Sequence, residues 1–336
     1  MLTLSDVAFG DVWLCSGQSN MEWTVSGVRD AQAEIEAGAL YQDIRLLRLA
    51  NIFSPSPVEE ALGFDSPQWV RPSVKYLTAP SFSAICLFYG EQLYDELEVP
   101  IGLIDSSWGG TIIEAWSPPE VIVDCGVEDE GTNDNANHNN YLFNSMIFPL
   151  RRMRKVFNHK KFSHSKQEIK FFILKLPLSI KGVIWYQGEA NVGHNREIYD
   201  CTFVNMITQW RSYWNDGTSG DTGDFPFGFV QLAPFTANLS PNWPVLRWKQ
   251  TNNHGYAPNT DMENVFMAVA MDDDIDLHPK NKRNVQMTIP NSNTKKIVIK
   301  CFFAGYRPGG WPGQPLTLFT RKQNIPCTVL FLMGSV

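Results

Sequence analysis

Short apolar runs alternate along most of the chain with longer stretches in which apolar residues recur every three or four positions. The stretches 83–97, 140–150 and 198–214 have this helical spacing. Five runs have the continuous apolar character of buried strands, at 11–15, 99–105, 180–186, 226–232 and 265–271. Such strands, separated by helices, indicate a parallel sheet that helices cover on both faces. We therefore predict an α/β fold with a doubly wound parallel sheet.

Polar clusters follow four of these strands at the point where each strand ends. They occupy residues 17–20, 106–111, 187–191 and 272–278. In a doubly wound sheet, ligands bind outside the carboxyl ends of the strands. The four clusters are therefore expected to lie along one edge of the sheet and to form the candidate active site.

Two segments do not fit this alternation. Residues 152–178 begin with a basic run and have no partner in the pattern, which predicts a surface insertion. Beyond residue 286, Pro290 and the sequence GYRPGGWPGQP argue against long helices and indicate an irregular, poorly ordered tail. We therefore expect one domain over residues 1–286, with the insertion inside it, followed by a divergent tail over 287–336.

Composition narrows the class of protein. The chain has 336 residues, of which 43% are hydrophobic, and this is enough to bury one large core. Its net charge of −7, without a basic stripe, argues against a nucleic acid partner. No apolar run is long enough to span a membrane, and the N-terminus lacks the charged and apolar regions of a secretory signal. The sequence does not specify an oligomeric state.

The cysteines show no spacing typical of a metal site. Cys15 and Cys86 lie in apolar segments, which predicts buried thiols, while a disulfide that involves Cys125 or Cys201 stays an open alternative. One N-glycosylation sequon begins at Asn238, although a proline directly follows it. These features leave the redox compartment of the protein undecided.

The heptapeptide CSGQSNM places Ser19 directly after the first predicted strand and before a stretch that can begin a helix. A serine in such a tight strand-to-helix turn is where α/β hydrolases expose a nucleophile above the sheet. Backbone N–H groups at the start of the helix can then stabilise an oxyanion. An ordinary turn with a capping serine is the alternative interpretation of the same residues.

A serine nucleophile needs a general base, because its own pKa is too high for it to attack unaided. His278 is the candidate, since it alone among the histidines follows a predicted buried strand and borders carboxylates. A carboxylate then fixes the imidazole tautomer, and Asp276 is the nearest one, with Asp274 as the alternative. A calcium site in this acidic run is the competing interpretation. The spacing of a calcium loop is absent, so we predict no metal and no cofactor.

The tetrahedral intermediate of acyl transfer needs hydrogen-bond donors for its oxyanion. Gly110, in the sequence WGGT, can bring a backbone N–H close because it has no side chain. Gln187, in the sequence WYQGEAN, can add a side-chain amide. We therefore predict that both residues contribute to an oxyanion hole. Taken singly, the glycine also has the ordinary interpretation of a turn residue.

Six segments carry a resemblance to a known family: GDVWLCSGQSNMEW (10–23), IGLIDSSWGGTIIEAW (101–116), IKGVIWYQGEAN (180–191), PFGFVQLAPF (226–235), LRWKQT (246–251) and LHPKNK (277–282). They resemble the sialate O-acetylesterase family of SGNH-type hydrolases, over about residues 8–150 and 179–285. The resemblance implies a flavodoxin-like, three-layer hydrolase fold. It also implies the deacetylation of O-acetylated sugars, above all sialic acids.

By position, the resemblance transfers four roles, to Ser19 as nucleophile, His278 as base, and Gly110 and Gln187 as oxyanion donors beside the backbone N–H of Ser19. The third triad member departs from the usual pattern. Many SGNH enzymes carry an aspartate three residues before the histidine, where this chain has Ile275. The carboxylate falls instead at Asp276, so the identity of the triad acid stays open between Asp276 and Asp274.

The resemblance is incomplete at three places. The family usually begins with a signal peptide and a β-rich region, whereas this chain begins close to the first predicted strand. Its sequence also diverges at 152–178 and after Lys282. We therefore expect a shortened form of a family member. The resemblance implies a lysosomal or secreted glycoprotein, and the missing signal peptide leaves a cytoplasmic location as the alternative.

The sequence thus predicts a serine esterase that removes O-acetyl groups from sialic acids through an acetyl-enzyme intermediate. The expected partner is a small O-acetylated sugar or glycan, in a pocket lined by Glu114, Trp116, Asn191, Arg247 and Trp248. An arginine suits the carboxylate of a sialic acid. Two alternatives stay open: a catalytically silent glycan-binding or regulatory fragment, and an acetylesterase for other acetylated polysaccharides.

Overall fold

The structure is a computed structural model, and it describes the chain in eight ranges. These are residues 8–65, 69–128, 135–152, 178–218, 223–233, 241–270, 287–289 and 297–299. The predicted insertion lies almost wholly outside these ranges, as do His278, Asp276 and Asp274. The turn at Ser19 and the glycine-containing loop at 106–111 lie within them.

Six strands form one parallel sheet. They are β1 (Asp11–Gly17), β2 (Ile44–Arg48), β3 (Ile101–Ser107), β4 (Gly182–Tyr186), β5 (Phe227–Gln231) and β6 (Val265–Val269). Their spatial order is β2-β3-β1-β4-β5-β6, and every neighbouring pair is parallel. Trp13 of β1 lies in register with Leu103 on one side and Gly182 on the other. Every residue of β1, β3 and β4 is buried, so both faces of the sheet are covered. The predicted α/β fold is confirmed.

Helices fill the connections between the strands. They are α1 (Ser19–Glu22), α2 (Ala31–Gly38), α3 (Val74–Thr78), α4 (Ala84–Leu97), α5 (Ile113–Trp116), α6 (Pro119–Asp124), α7 (Tyr199–Thr218) and α8 (Asn242–Lys249). Helix α4 begins where the sequence predicts, because the Ser83 hydroxyl caps it by accepting the Cys86 N–H at 3.2 Å. The predicted helix at 140–150 is instead a π turn, Phe143–Ile147, followed by a 3-10 turn, Phe148–Arg152.

Strand β2 is the one strand of the parallel sheet that the apolar pattern does not predict. Two arginines interrupt its sequence, IRLLR, yet both are largely buried. The Arg45 guanidinium donates to the carbonyl oxygen of Gln42 at 2.7 Å. Arg48 lies 3.3 Å from Asp65 and 3.6 Å from Asp105. Because these partners satisfy the charges, the strand can carry arginines at the edge of the sheet.

A row of tryptophans fixes α5 and α7 to the sheet. The Trp116 and Trp185 rings meet edge to face at 6.0 Å, and the Trp185 and Trp210 rings do so at 5.8 Å. The indole N–H of Trp210 also donates to the Trp116 carbonyl oxygen at 3.1 Å. These contacts hold α5, which follows the loop after β3, in a fixed position beside the carboxyl end of β4.

The carboxyl ends of β1 and β4 border a crevice. The chain leaves β1 toward β2 and β3, and it leaves β4 toward β5 and β6 on the opposite side of the sheet. This divergence creates the switch point at which open α/β sheets bind ligands. Gly17 ends β1 there with a φ of +137°, and a Cβ at this position would lie 2.2 Å from the Tyr186 carbonyl oxygen. Only glycine therefore allows the two strand ends to meet so closely.

Two disulfides are present: the first corrects the prediction of buried thiols at Cys15 and Cys86, and the second is the open alternative at Cys125 and Cys201. Cys15 of β1 is bonded to Cys86 of α4, and Cys125 after α6 is bonded to Cys201 of α7. The Cα atoms are 5.8 Å apart in both pairs, although 71 and 76 positions separate the partners in the sequence. Each bond therefore links elements that the fold brings together from distant parts of the chain.

Part of the predicted tail has regular structure. Strands β7 (Met287–Ile289) and β8 (Ile297–Ile299) pair in antiparallel fashion, with Met287 opposite Ile299. This pair corrects the expectation of irregular chain directly after residue 286. Among the helices that the structure describes, none is both long and apolar enough to cross a membrane.

Candidate active site

Ser19 occupies the turn between β1 and α1 that the sequence predicts. Gln18 is extended, and Ser19 is the first residue of the one-turn helix α1. Ser19 is half-buried, whereas its neighbours Gln18 and Asn20 are only 3% and 2% exposed. The turn therefore keeps the two flanking side chains inside the protein and presents the serine at the crevice.

The two residues that flank Ser19 bind the loop after β4. The Gln18 side-chain oxygen accepts the backbone N–H groups of Gly188 at 3.2 Å and Ala190 at 3.1 Å. The Asn20 amide donates to the Glu189 carboxylate. Three consecutive residues of one loop are thus tied to the serine turn. These bonds fix the position of Ser19 relative to the carboxyl end of β4.

The loop after β3 lies against Ser19 from the other side. The Trp108 N–H donates to the Gly17 carbonyl oxygen at 3.0 Å. A Cβ at Gly109 would lie 3.3 Å from the Ser19 Cβ, so a side chain at this position would crowd the serine. Gly110 is exposed and has a φ of +74°, and a Cβ there would meet nothing within 4 Å.

The backbone N–H of Gly110 is a candidate oxyanion donor. No acceptor in the part of the chain that the structure describes engages it, while the Gly110 carbonyl accepts from Asn137 at 3.1 Å. The structure thus places the loop that contains Gly110 beside the turn that contains Ser19, as the predicted oxyanion hole requires. Their catalytic roles stay predictions.

Gln187 lies beside this loop, fully buried. Its side-chain amide donates to the Thr111 carbonyl at 3.0 Å and to the Asn191 side-chain oxygen at 2.7 Å. Its own side-chain oxygen accepts from the Tyr199 hydroxyl at 2.9 Å. Both amide hydrogens therefore have acceptors within the protein. Donation to an oxyanion requires Gln187 to exchange one of these bonds.

Three residues predicted to line the sugar pocket have no exposed surface: Glu114, Trp116 and Asn191. The Asn191 amide donates to the Glu114 carboxylate at 2.9 Å, and the Trp116 indole donates to the Thr111 hydroxyl at 2.9 Å. Burial raises the pKa of Glu114, against the lowering effect of the Asn191 hydrogen bond. These side chains bond to groups inside the protein, and their contact with a sugar stays a prediction.

The sequence profile of one protein family matches residues 9–288: carbohydrate esterase, sialic acid-specific acetylesterase. The chain belongs to this family. The resemblance seen in the sequence is therefore confirmed, and the match extends across the whole parallel sheet and the serine turn.

Relatives of this esterase family agree with the assignment. The chain is 40% identical over 301 residues to the sialate O-acetylesterase of Homo sapiens, a match that covers 84% of this chain and 53% of the human protein. It is 38% identical over 309 residues to that of Mus musculus, covering 84% of this chain and 56% of the mouse protein. The chain therefore spans about half the length of the curated relatives it matches.

A solved structure has the same fold. A carbohydrate acetylesterase from Xanthomonas citri superposes with a TM-score of 0.62 at 29% identity. The superposition covers 82% of this chain and 53% of the other. The SGNH-like esterase architecture that the resemblance implied is therefore confirmed.

Helix α8 carries the other two residues predicted for the sugar pocket of this family member. The helix packs on the loop after β4, since a Cβ at Gly188 would lie 3.0 Å from the Leu246 side chain. Trp248 is 52% exposed, and Arg247 is half-buried, which lowers the pKa of its guanidinium. Arg247 and Trp248 therefore stay candidates for contact with a sugar.

Sequence reasoning missed a charged cluster beside the candidate active site. Glu22, on the same helical turn as Ser19, lies 3.8 Å from Arg48. Arg48 also faces Asp105, whose burial raises its pKa to about 6, while Arg48 and the Ser107 hydroxyl act to lower it. The available signal was the position of Glu22 within GQSNME, three residues after the serine and so on its helical turn.

Each of the three histidines among the described residues lies beside a side chain from its own part of the chain. The His138 ring stacks on Tyr141 at 4.2 Å, and the His254 Nε2 lies 2.8 Å from the Asp261 carboxylate. The His194 Nε2 lies 3.1 Å from the amide of the adjacent asparagine. His278, Asp276 and Asp274 lie outside the described residues, so their roles in the triad stay predictions.

Proposed function

We propose that this chain is a serine esterase that removes O-acetyl groups from sialic acids through an acetyl-enzyme intermediate. One observation carries the proposal: a half-buried serine in a strand-to-helix turn lies against the loop that offers the Gly110 N–H. Membership of the acetylesterase family and the similarity to sialate O-acetylesterases support the choice of reaction and substrate. No metal is needed for this chemistry, because an imidazole supplies the general base.

In this mechanism, the Ser19 hydroxyl attacks the acetyl carbonyl while His278 accepts its proton. The Gly110 and Ser19 backbone N–H groups stabilise the resulting oxyanion. When the intermediate collapses, the ester C–O bond breaks and His278 gives the proton to the leaving sugar oxygen, which becomes a hydroxyl. A water molecule, deprotonated by His278, then attacks the acetyl-enzyme. Acetate leaves and the serine regains its proton.

Arg247 is proposed to recognise the carboxylate that distinguishes sialic acids from neutral sugars. It lies on α8, which packs on the loop after β4, and the exposed Trp248 beside it offers a flat apolar surface to a sugar ring. A guanidinium binds a carboxylate through paired, charge-assisted hydrogen bonds.

The substrate class predicts a selective effect of Arg247→Ala. The wild-type chain is expected to release acetate from O-acetylated sialic acid faster than from acetyl xylan. The variant is expected to raise KM for O-acetylated sialic acid by about tenfold or more, because a hydrogen bond to a charged group contributes about 1.5–3 kcal/mol. Its KM for a neutral O-acetylated hexose is expected to change less than about twofold.

Acetate release under steady-state conditions measures both substrates. Arg29→Ala removes an exposed arginine and serves as the matched control, with no expected effect. Equal losses on the acidic and the neutral sugar would show that Arg247 supports the structure and does not select the substrate. Preferential hydrolysis of acetyl xylan would contradict the proposed sialic acid substrate and favour an acetylated polysaccharide.

We further propose that the protein resides in an oxidising compartment, either secreted or lysosomal. Two disulfides support this location, because such bonds are rare in the reducing cytosol. In protein isolated from its own cells, Cys15, Cys86, Cys125 and Cys201 are expected to resist alkylation until a reductant is added. Peptide mapping by mass spectrometry measures this directly. Free thiols at these positions, together with recovery in the cytosolic fraction, would contradict the proposal.

A further inference from the structure

Glu22 connects the serine turn, through its carboxylate, to the loop after β3 that contains Gly109 and Gly110. This loop is called the glycine loop below. One oxygen, Oε2, accepts the backbone N–H of Gly109 at 2.7 Å. The other, Oε1, accepts from the side-chain amide of Asn51 at 2.8 Å. The Arg48 guanidinium lies 3.8 Å from the same oxygen. Both carboxylate oxygens are therefore held, and the side chain is only 27% exposed.

The Glu22 carboxylate and the Ser19 side chain both lie close to Gly109. A Cβ at Gly109 would lie 2.8 Å from Glu22 Oε2 and 3.3 Å from the Ser19 Cβ. The Gly109 backbone thus leaves no space for a side chain between itself and Ser19, and its N–H is hydrogen-bonded to Glu22. Glu22 accepts the Gly109 N–H, whereas no acceptor among the described residues engages the next N–H along the chain, that of Gly110.

We propose that Glu22 is a positioning residue for the proposed esterase reaction: it fixes the Gly109–Gly110 peptide relative to Ser19 and so directs the Gly110 N–H at the oxyanion. The inference rests on the proposed function. Ser19 and Glu22 share one helical turn, so the group that attacks and the group that aims the oxyanion donor move as a single unit. Glu22 itself contacts neither the reacting atoms nor the leaving group.

The hydrogen bond, and not the negative charge, is the feature that this role needs. A glutamine at position 22 can keep the Gly109 bond through its carbonyl oxygen. Its amide can donate to the Asn51 side-chain oxygen, a buried atom with no hydrogen-bond partner among the described residues, once the Asn51 amide rotates. An alanine at position 22 removes the bond altogether.

We expect Glu22→Ala to lower kcat for acetyl ester hydrolysis by about 10- to 100-fold, somewhat less than the loss of a whole oxyanion donor. KM is expected to stay within about twofold. A boronic acid that forms a tetrahedral adduct with the serine is expected to bind more weakly by about the same factor as kcat falls. Glu22→Gln is expected to stay within about threefold of wild type in all three measurements.

Two further variants separate positioning from stability and charge. Asp65→Asn removes another carboxylate partner of Arg48 that does not bind the loop, and we expect wild-type kcat. Gly109→Ala displaces the loop while Glu22 is intact, and we expect a fall in kcat similar to that of Glu22→Ala. Thermal unfolding of each variant checks that it is folded. If Glu22→Ala does not fold, Gly109→Ala provides the test.

Each outcome decides the inference. Wild-type kcat and boronic acid affinity in Glu22→Ala would overturn it. Equal losses in Glu22→Gln or Asp65→Asn would overturn it as well, because they would assign the effect to the charge of the cluster. An inactive wild-type chain would instead refute the proposed function, and that result is distinct from an active wild type with an equally active Glu22→Ala.

Discussion

Ser19→Ala is expected to lower kcat/KM for acetyl ester hydrolysis by about 10⁴-fold or more, since the covalent pathway is lost with the hydroxyl. The fold is expected to be unchanged. Gln18 and Asn20 hold the turn to the loop after β4. Residual activity, if it is measurable, is expected to come from substrate binding and the oxyanion donors alone.

A fluorophosphonate probe, which reacts covalently with an activated serine, tests the same residue without a natural substrate. Intact-mass analysis is expected to show one adduct on the wild-type chain and none on Ser19→Ala. Ser26→Ala removes an exposed serine seven positions later and serves as the matched control, with full labelling. A wild-type chain that takes no label would favour the catalytically silent, glycan-binding alternative. Labelling of Ser19→Ala would place the nucleophile elsewhere.

The sheet could be predicted because each of its central strands contains a continuous apolar run. Strands β1, β3 and β4 are buried on both faces, and burial of that kind leaves a continuous apolar run in the sequence. Strand β2 escaped the prediction because Arg45 and Arg48 occupy inward positions. Their charges are satisfied by a carbonyl and by carboxylates that become neighbours only after folding. The apolar pattern records burial of hydrocarbon, not burial of paired charge.

The location of the site was predictable, but the orientation of its side chains was not. The polar clusters after β1, β3 and β4 meet in the structure because the carboxyl ends of parallel strands share one edge. Which residues face the crevice depends on hydrogen bonds between loops. Asn191 turns inward to Glu114, and Gln187 bonds to Thr111, so these polar residues support the loops from within. Buried polar groups need such partners, and a linear sequence does not identify them.

The disulfides illustrate the same limit. Cys15 and Cys86 lie in apolar segments, and burial of a thiol and of a disulfide leave the same composition in the sequence. Only the approach of β1 to α4 distinguishes the two, by bringing the Cα atoms to 5.8 Å. Glu22 is a further case, because the role inferred for it depends on a hydrogen bond to Gly109, 87 positions away.

His278→Ala is expected to reduce kcat/KM by at least about 10³-fold, because the proposed mechanism needs its imidazole to take the Ser19 proton. In the wild type, kcat/KM is expected to rise with pH as the base loses its proton. His254→Ala is the matched control and is expected to keep the wild-type pH profile.

The acid of the triad can be assigned by comparing two amide variants. Asp276→Asn is expected to lower kcat by about 10²- to 10⁴-fold, because an amide no longer holds the imidazole in the tautomer that accepts the serine proton. Asp274→Asn is expected to change kcat by less than about threefold. The opposite ranking would assign the role to Asp274. Near-wild-type rates in both variants would mean that Ser19 and His278 act without an aspartate from this run, and the triad would reduce to a dyad.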